Sequence, residues 1–421
     1  MRSIAVVGGG IMGLSSAIAL LDKGHDVTVF DGDTERRAAS WGNAGHIAVE
    51  QVEPLASPSA LRSVPRRLFS MGGALALPPS MAMQWVPFAK GLVAASTPAR
   101  FAAGTLALKP LVAAAMPAWQ DLVRSIGRED LLRRNGHVVV WESAATAAAG
   151  RARWSQSEIG TTRIDDADDA VLERLAGLTR SVGGAIRFDG SGQIADLDRL
   201  ATALEGAVIA RGGRIIRETA RLARVDDRIA VVGHDTDLVL VTAGVRSRTL
   251  LEALGYRVPM IAERGYHIRT AVHTGTDRWP EDMPPLVFED RSMIVTRYAD
   301  TVQAASFVEL GDPDALADPR KWQRLEQHVA ELGLPMTGPY SRWMGSRPTL
   351  PDYLPAIGRS TTDTNLFYAF GHQHLGLTLA PITAQIVAAL VADDMPRVPI
   401  PAFSLSRFAG KARFPIKGRP Q

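Results

Sequence analysis

One stretch at the N-terminus constrains this chain more than any other. Ile4-Ala5-Val6-Val7 runs directly into Gly8-Gly9-Gly10-Ile11-Met12-Gly13, and a helical pattern follows. Strand, Gly-x-Gly-x-x-Gly and helix in that order open a βαβ unit that binds a dinucleotide. Gly8 permits the tight turn, Gly10 lets backbone approach a pyrophosphate, and Gly13 lets the helix lie close to the strand. The helix N-terminus, with Ile11 and Met12 in its first turn, turns unpaired N–H groups and a positive dipole end toward the phosphates. A second strand, Asp26-Val27-Thr28-Val29-Phe30, ends at Asp31, about 20 residues past the glycines, where a carboxylate accepts ribose hydroxyls. An ordinary βαβ unit with a glycine-rich turn is the alternative. The order of strand, glycines, helix and acid favours the dinucleotide.

The 421 residues suffice for two domains or one interleaved pair. The chain has no cysteine. That excludes disulfides, thiolate metal sites, a catalytic thiol and a cysteinyl flavin link, and it fits a reducing, cytoplasmic location. The net charge is +3 with the basic residues dispersed, so no nucleic-acid partner is expected. The N-terminus reads as a strand, not as a signal peptide. Residues 72–95 are the most lipid-like, but Pro78, Pro79, Gln84, Pro87 and Lys90 interrupt them. A spanning helix needs about 20 consecutive apolar residues. Buried helices of a second domain are therefore expected here, with peripheral contact at the inner face of a membrane as the alternative.

Along the chain, residues 55–135 read as mostly helical, 136–141 as a strand, and 144–180 as helical and charged. Asp189-Gly190-Ser191-Gly192 is a turn cluster, and Asp196 caps a helix from Leu197 to Arg211. Strands follow at 214–216 and 237–241, and 259–308 reads as strands. Asp318 and Pro319 start a helix to Gly333, a long apolar helix spans Pro381 to Ala392, and the tail from Arg407 reads as a basic, exposed arm. Crossover units at both ends with an antiparallel block between them give two interleaved domains. One is an α/β Rossmann-like nucleotide-binding domain (1–55, 190–258 and 338–421). The other is an α+β substrate domain with a mostly antiparallel sheet (56–189 and 259–337).

Several segments together resemble the D-amino acid oxidase superfamily of flavoproteins, nearest in pattern to the D-amino acid dehydrogenase small-subunit branch. They are the glycine motif with Asp31; Ser40-Trp41-Gly42-Asn43-Ala44-Gly45-His46-Ile47; the stretch from Gly192 to Arg221; Val241-Thr242-Ala243-Gly244; and Glu263-Arg264-Gly265-Tyr266-His267. The most specific are the closing segments Trp343-Met344-Gly345-Ser346-Arg347-Pro348-Thr349-Leu350-Pro351-Asp352 and Gly371-His372-Gln373-His374-Leu375-Gly376-Leu377-Thr378. The resemblance implies that the dinucleotide is FAD, bound without a covalent link. Ser40, Asn43, Ala44, Gly45 and His46 would wrap its pyrophosphate and ring. Arg221 would offer backbone to adenine, and Ala243 and Gly244 would lie near the phosphates. Gly345, Arg347, Gly371, His372, Leu375, Gly376, Leu377 and Thr378 would surround the flavin, with the helix start at Leu377-Thr378 facing its N1–C2=O edge. The chain departs from the family at Gln303-Ala304-Ala305-Ser306-Phe307-Val308-Glu309, where Arg-x-x-Gly-Thr-x-Glu is common. It departs again at Gln373 and His374, where the family has Gly and Thr.

Flavin-dependent amine oxidation needs an anchored carboxylate, a neutral amine and a Cα–H aimed at flavin N5. Arg347 is the candidate anchor, because its planar fork grips a carboxylate bidentately. The residues alone leave a structural ion pair open for it. Tyr266 could donate to the same carboxylate or merely pack, and Arg264 could be a second anchor or a surface charge, the surface charge being the favoured reading. His46, His372 and His374 are histidines near the flavin able to take a proton at neutral pH, although hydride transfer needs no dedicated base. His372 and His374 have the look of a metal pair, but no third ligand is evident, and no metal is expected. The implied activity is oxidation of D-amino acids or D-proline derivatives, with electrons passed to a quinone or another respiratory acceptor. A sarcosine- or glycine-oxidase-like enzyme, or a flavin-bound subunit with little activity alone, are the alternatives. The oligomeric state is unreadable.

Overall fold

A computed structural model describes residues 1–272 and 279–409. Two sheets organise it. The first has six strands in the order Arg214–Ile216, Asp26–Phe30, Ser3–Val7, Leu238–Val241, Leu366–Phe370 and Ala356–Arg359. All neighbours are parallel except the last pair. Its central strands are apolar on both faces because both faces are covered. Ile4, Val6 and Leu240 enter one core with the helices Ile11–Asp22, Leu197–Ala210 and Gly376–Val391. Ala5, Val7, Val239 and Val241 enter a second core on the other face.

The second sheet is mostly antiparallel. Its main path runs Ser341–Thr349, Ile261–Ala271, Thr301–Gly311, Met293–Arg297, Leu286–Phe288, His137–Trp141, Gly184–Asp189 and Arg163–Asp166. Helix Pro319–Leu332 covers one face. Asp318 caps it by accepting from the Arg320 N–H, and Gly333, at φ +66°, ends it. A small three-stranded sheet of His46–Ile47, Gly192–Ile194 and Leu132–Arg133 lies between the two large ones in the chain's path.

The fold differs from expectation in several places. The strand Ser341–Thr349 hydrogen-bonds along the edge of the large sheet, so the boundary expected at 338 moves to about 350. The helices Pro98–Ala113 and Ala115–Ser125, assigned to the substrate domain, bury Leu108, Leu111, Trp119 and Leu122 in the nucleotide-side core beside helix Gly376–Val391. The last long helix starts at Gly376, five residues before Pro381. Arg407 does not belong to a free arm: it donates to Asp352 and to the Leu354 carbonyl. The rest of that tail from 410, and the part of the strand reading over 273–278, lie outside the described residues. The strand Gly184–Asp189 went unread, since Ala185-Ile186-Arg187-Phe188 is too short to show a period by itself.

Candidate active site

The glycines of the first turn form a cradle with no room for side chains. A Cβ on Gly13 would sit 1.8 Å from the Gly8 carbonyl oxygen, so helix and strand touch through backbone. Gly8, at φ +111°, lies against Ala243 of the second turn, where a Cβ would fall 2.6 Å from the Ala243 Cα. The Thr242 hydroxyl donates to the carbonyls of Val7 and Gly8 and ties the two turns together, with Gly244 at φ +55° just beyond. Gly10 faces Ser40, whose Oγ accepts the Ile11 N–H at the helix start. Met12 follows in that buried first turn. This crowded, backbone-walled cradle at a helix N-terminus fits a pyrophosphate.

Asp31 stands at the end of its strand. Burial raises its pKa, opposed by the Asp33 N–H and the Arg217 guanidinium. Arg217 bridges Asp31 to Glu205. Residues 217–221 cross beside it, with Thr219 pressed on Gly32, and the Arg221 carbonyl accepts from Val232. The backbone of this stretch, with Asp31, is placed for the adenosine end.

The loop Ser40–Ile47 is fastened to the large sheet. Asn43 accepts from the Gly45 N–H and donates to the Ser40 carbonyl. The Asn43 carbonyl accepts from Tyr298 and Gln303, and the Ala44 carbonyl from Thr296. Gly45 is at φ +67°, close under the Tyr298 ring. The Trp343 ring lies over Gly42 and Gly345, where any Cβ would enter it, and stacks on His267 at 5.0 Å. His267 in turn hydrogen-bonds the Gly42 carbonyl, and burial pushes its pKa down to about 3.

This face of the sheet carries Arg347. It pairs across strands with Glu263, and its Nη1 donates to Glu263 Oε1 and to the Phe307 carbonyl, both at 3.3 Å. Glu263 is buried and accepts further from Thr349 and Tyr353, which fixes the carboxylate. No hydrogen bond among the described residues engages Nε or Nη2 of Arg347. Three non-glycine residues in the left-handed region surround this pair. Phe307 (φ +71°) offers its carbonyl, Tyr353 (φ +55°) its hydroxyl, and Gln373 (φ +48°) holds the Tyr353 carbonyl at 2.8 Å. Such conformations cost about 1–3 kcal/mol each and cluster where a site demands them. Phe307 lies in a bulge, two residues opposing Gly265. Gln373 stands where the resembling family has glycine, which accounts for its backbone.

Tyr266 does not join Arg347. Successive residues of a strand face opposite ways, so Glu263 and Gly265 share the Arg347 face while Arg264 and Tyr266 point to the other. There the Tyr266 hydroxyl donates to Glu309 and accepts from the Asp318 N–H, and burial raises its pKa far above that of an exposed phenol. Arg264 is fully buried, paired with Glu309 at 2.9 Å and bound to the carbonyls of Ala315 and Leu316. Neither can hold a substrate carboxylate beside Arg347.

The three candidate histidines diverge. His372 is buried and hydrogen-bonds Thr383 at 3.1 Å, with burial lowering its pKa to about 3. Its ring therefore ties the loop after Gly371 to the helix that follows. His46 turns its ring to the Gly192 carbonyl and to Glu50, away from the role of substrate contact. His374 lies within electrostatic reach of Glu263 and Arg347, and burial brings its pKa to about 4. Its Nδ1 is buried without a hydrogen-bond partner among the described residues. Leu375 precedes the helix start at Gly376, whose first turn has no side-chain cap. Leu377 and Thr378 follow, and the Thr378 hydroxyl accepts the Ala48 N–H. The sequence assigns no role to Glu263, Tyr353, Gly265, Trp343 or Arg217. The strand alternation through Glu263-Arg264-Gly265-Tyr266 was the signal that could have separated Glu263 from Tyr266.

Residues 3–390 match the family of FAD-dependent oxidoreductases designated DAO. The chain is 29% identical over 423 residues to a D-amino-acid oxidase of Bradyrhizobium diazoefficiens, covering 97% of this chain and 99% of that one. It is 28% identical to D-amino acid dehydrogenase 2 of Ralstonia nicotianae, covering 96% and 100%. Glycine oxidase from Geobacillus kaustophilus shares the fold, with a TM-score of 0.70 at 19% identity, covering 97% and 100%.

Proposed function

Because the chain belongs to the DAO family of FAD-dependent oxidoreductases, we propose that it oxidises D-amino acids or D-proline derivatives at Cα. The flavin, when bound, supplies the two-electron acceptor for the hydride that leaves Cα. The observation that carries this reading is Arg347. Its Nη1 is held by Glu263 and Phe307, and no hydrogen bond among the described residues engages its remaining edge, on the face that also carries the cofactor loop. A guanidinium fixed in this way holds a substrate carboxylate in one orientation and leaves its Cα in one place. His374 lies within electrostatic reach of Arg347, but burial lowers its pKa to about 4, too low to take a proton from an ammonium, so the substrate is to bind with its amine already neutral. The imino acid so formed hydrolyses to a 2-oxo acid and ammonia, or stays cyclic when the substrate is a proline.

The names of the relatives support the D-configuration and divide over the acceptor, one an oxidase and one a dehydrogenase. We assign the electrons to a quinone or another respiratory acceptor. Exposed Met83, Val93 and Leu106 on the helices between 82 and 113 support contact of that region with a membrane surface. The helical stretch Pro98–Ser125, made of the two consecutive helices, is long and apolar enough to cross a membrane by length and composition alone, as is the largely buried stretch Gln373–Val391.

Anaerobic mixing of the purified holoenzyme with D- and L-amino acids, D-proline, sarcosine and glycine tests the assignment. Loss of flavin absorbance near about 450 nm reports reduction whatever the natural acceptor. Reduction by D-enantiomers and not by L-enantiomers is the expected result. Reduction by glycine or sarcosine alone would favour the secondary-amine reading, and a flavin reduced by none of them would overturn the D-amino acid assignment.

A further inference from the structure

His46, Glu50 and His137 come from two different parts of the chain and converge on one point, with one ligand atom from each lying within 4.8 Å of the others. His46 belongs to the small sheet that follows the cofactor loop, Glu50 to the turn after it, and His137 to the start of a strand in the large sheet. Glu50 and His137 are buried, and His46 is nearly so.

The two imidazoles are oriented in the same way. His46 Nδ1 lies 3.2 Å from the Gly192 carbonyl, and His137 Nδ1 lies 2.8 Å from the Ser191 hydroxyl. Adjacent residues of one turn thus hold both Nδ1 atoms, and His46 Nε2 is left to face Glu50 Oε1. Metal-ligating histidines are held in just this manner, the second nitrogen donating to a carbonyl or hydroxyl that fixes tautomer and ring angle. His137 is further clamped by stacking on Phe188 at 4.4 Å.

The carboxylate supplies an independent sign. Glu50 Oε1 is 3.3 Å from His46 Nε2, while Oε2 is buried with no hydrogen-bond partner among the described residues. Ligands about 2.0–2.1 Å from a tetrahedral zinc ion stand roughly 3.3–3.4 Å apart; the His46–Glu50 pair already has that spacing, and the three ligand atoms, within 4.8 Å of one another, would draw together on an ion.

We propose that His46, Glu50 and His137 form a binding site for one zinc-like divalent cation, which fastens the end of the cofactor loop to the large sheet. The sequence conceals the site, because His46 and Glu50 are not on a helix and His137 lies far along the chain. The sequence expectation of no metal rested on His372 and His374, whose rings diverge.

Equilibrium dialysis of the holoenzyme against micromolar zinc, after chelator treatment, followed by elemental analysis, tests the proposal. One zinc per chain is expected. Glu50→Gln and His137→Gln, each near in size to the native residue, should weaken binding roughly tenfold or more. Flavin content and far-ultraviolet circular dichroism identify a variant that has not folded. X-ray absorption of the zinc-loaded wild type then decides by itself. Two imidazoles and a carboxylate in a shell at about 2.0–2.1 Å support the site. No retained zinc, a shell without two imidazoles, or affinity unchanged in both folded variants overturns it.

Discussion

A Cβ built on Gly265 would fall 2.4 Å from Nη2 of Arg347 and 2.8 Å from its Cζ. The obstacle is the far end of a flexible side chain, so a substituted protein can fold, but only with the guanidinium displaced from its pairing with Glu263. Gly265→Ala should therefore keep its flavin and raise KM for the amino acid by about tenfold or more, since a displaced anchor loses charge-assisted hydrogen bonds. Steady-state kinetics with an artificial acceptor, beside the flavin spectrum, check this, and an unchanged KM would show that Arg347 does not hold the carboxylate. At this scale the sequence was legible where chemistry and motif coincide. The glycine turn, Asp31 and Arg347 could all be singled out from it as candidates, and the structure shows how each is placed. Tyr266 could not be placed, because a motif shows neighbours along the chain and not the face of the strand on which each side chain emerges. Glu263, which fixes the anchor, shows only through its partner across the sheet.

Helix Gly376–Val391 raises the same question for an element. Pro381 lies inside it and lacks the N–H that would bond the Leu377 carbonyl one turn earlier. Read from the sequence, Pro381 is a start signal. In the fold, the buried Trp119 indole donates to the Leu377 carbonyl at 3.0 Å and satisfies the group that proline leaves open. The helix can then begin at Gly376 and bring its uncapped first turn to the site. Trp119→Phe keeps most of the buried surface and removes the donor. It should lower stability by about 1–3 kcal/mol, the cost of an unsatisfied buried carbonyl, and weaken FAD retention. Chemical denaturation and flavin release measure the two effects. Full stability with native retention would mean that the carbonyl finds another partner. Most other elements were readable from apolar runs, caps and turn residues. Those that were misplaced, Ser341–Thr349 and the helices between 98 and 125, are local patterns whose side of the molecule is decided by tertiary packing.

The whole molecule buries several histidines in the neutral form. His267 and His372 have pKa values near 3, and His328 and His374 near 4, with burial the leading cause in each case. Unfolded, each would titrate near 6.5. Between those limits the unfolded chain binds more protons than the native one. The stability these groups contribute is therefore whole above about pH 6.5 and is lost as pH falls toward the folded values, each histidine adding a slope of at most about 1.4 kcal/mol per pH unit. Melting followed from pH 7.5 down to 5 with excess FAD present should show a steady loss, set in before carboxylates begin to protonate. A flat profile through that window would contradict the buried neutral histidines. The cofactor loop is stitched to the large antiparallel sheet through the carbonyls of Asn43 and Ala44, so the dinucleotide cradle is tied to the sheet that carries Arg347.

The central claim is that Arg347 orients the substrate for oxidation, and the rate of anaerobic flavin reduction by the preferred amino acid in Arg347→Lys and Arg347→Ala measures it most directly. Lysine keeps the charge beside buried Glu263 and loses the fork, so it guards against a variant that fails merely by leaving that carboxylate unpaired. The account predicts folded, yellow proteins whose reduction is slower by on the order of a hundredfold or more, with alanine the slower of the two. Reduction at the wild-type rate in either folded variant would contradict it.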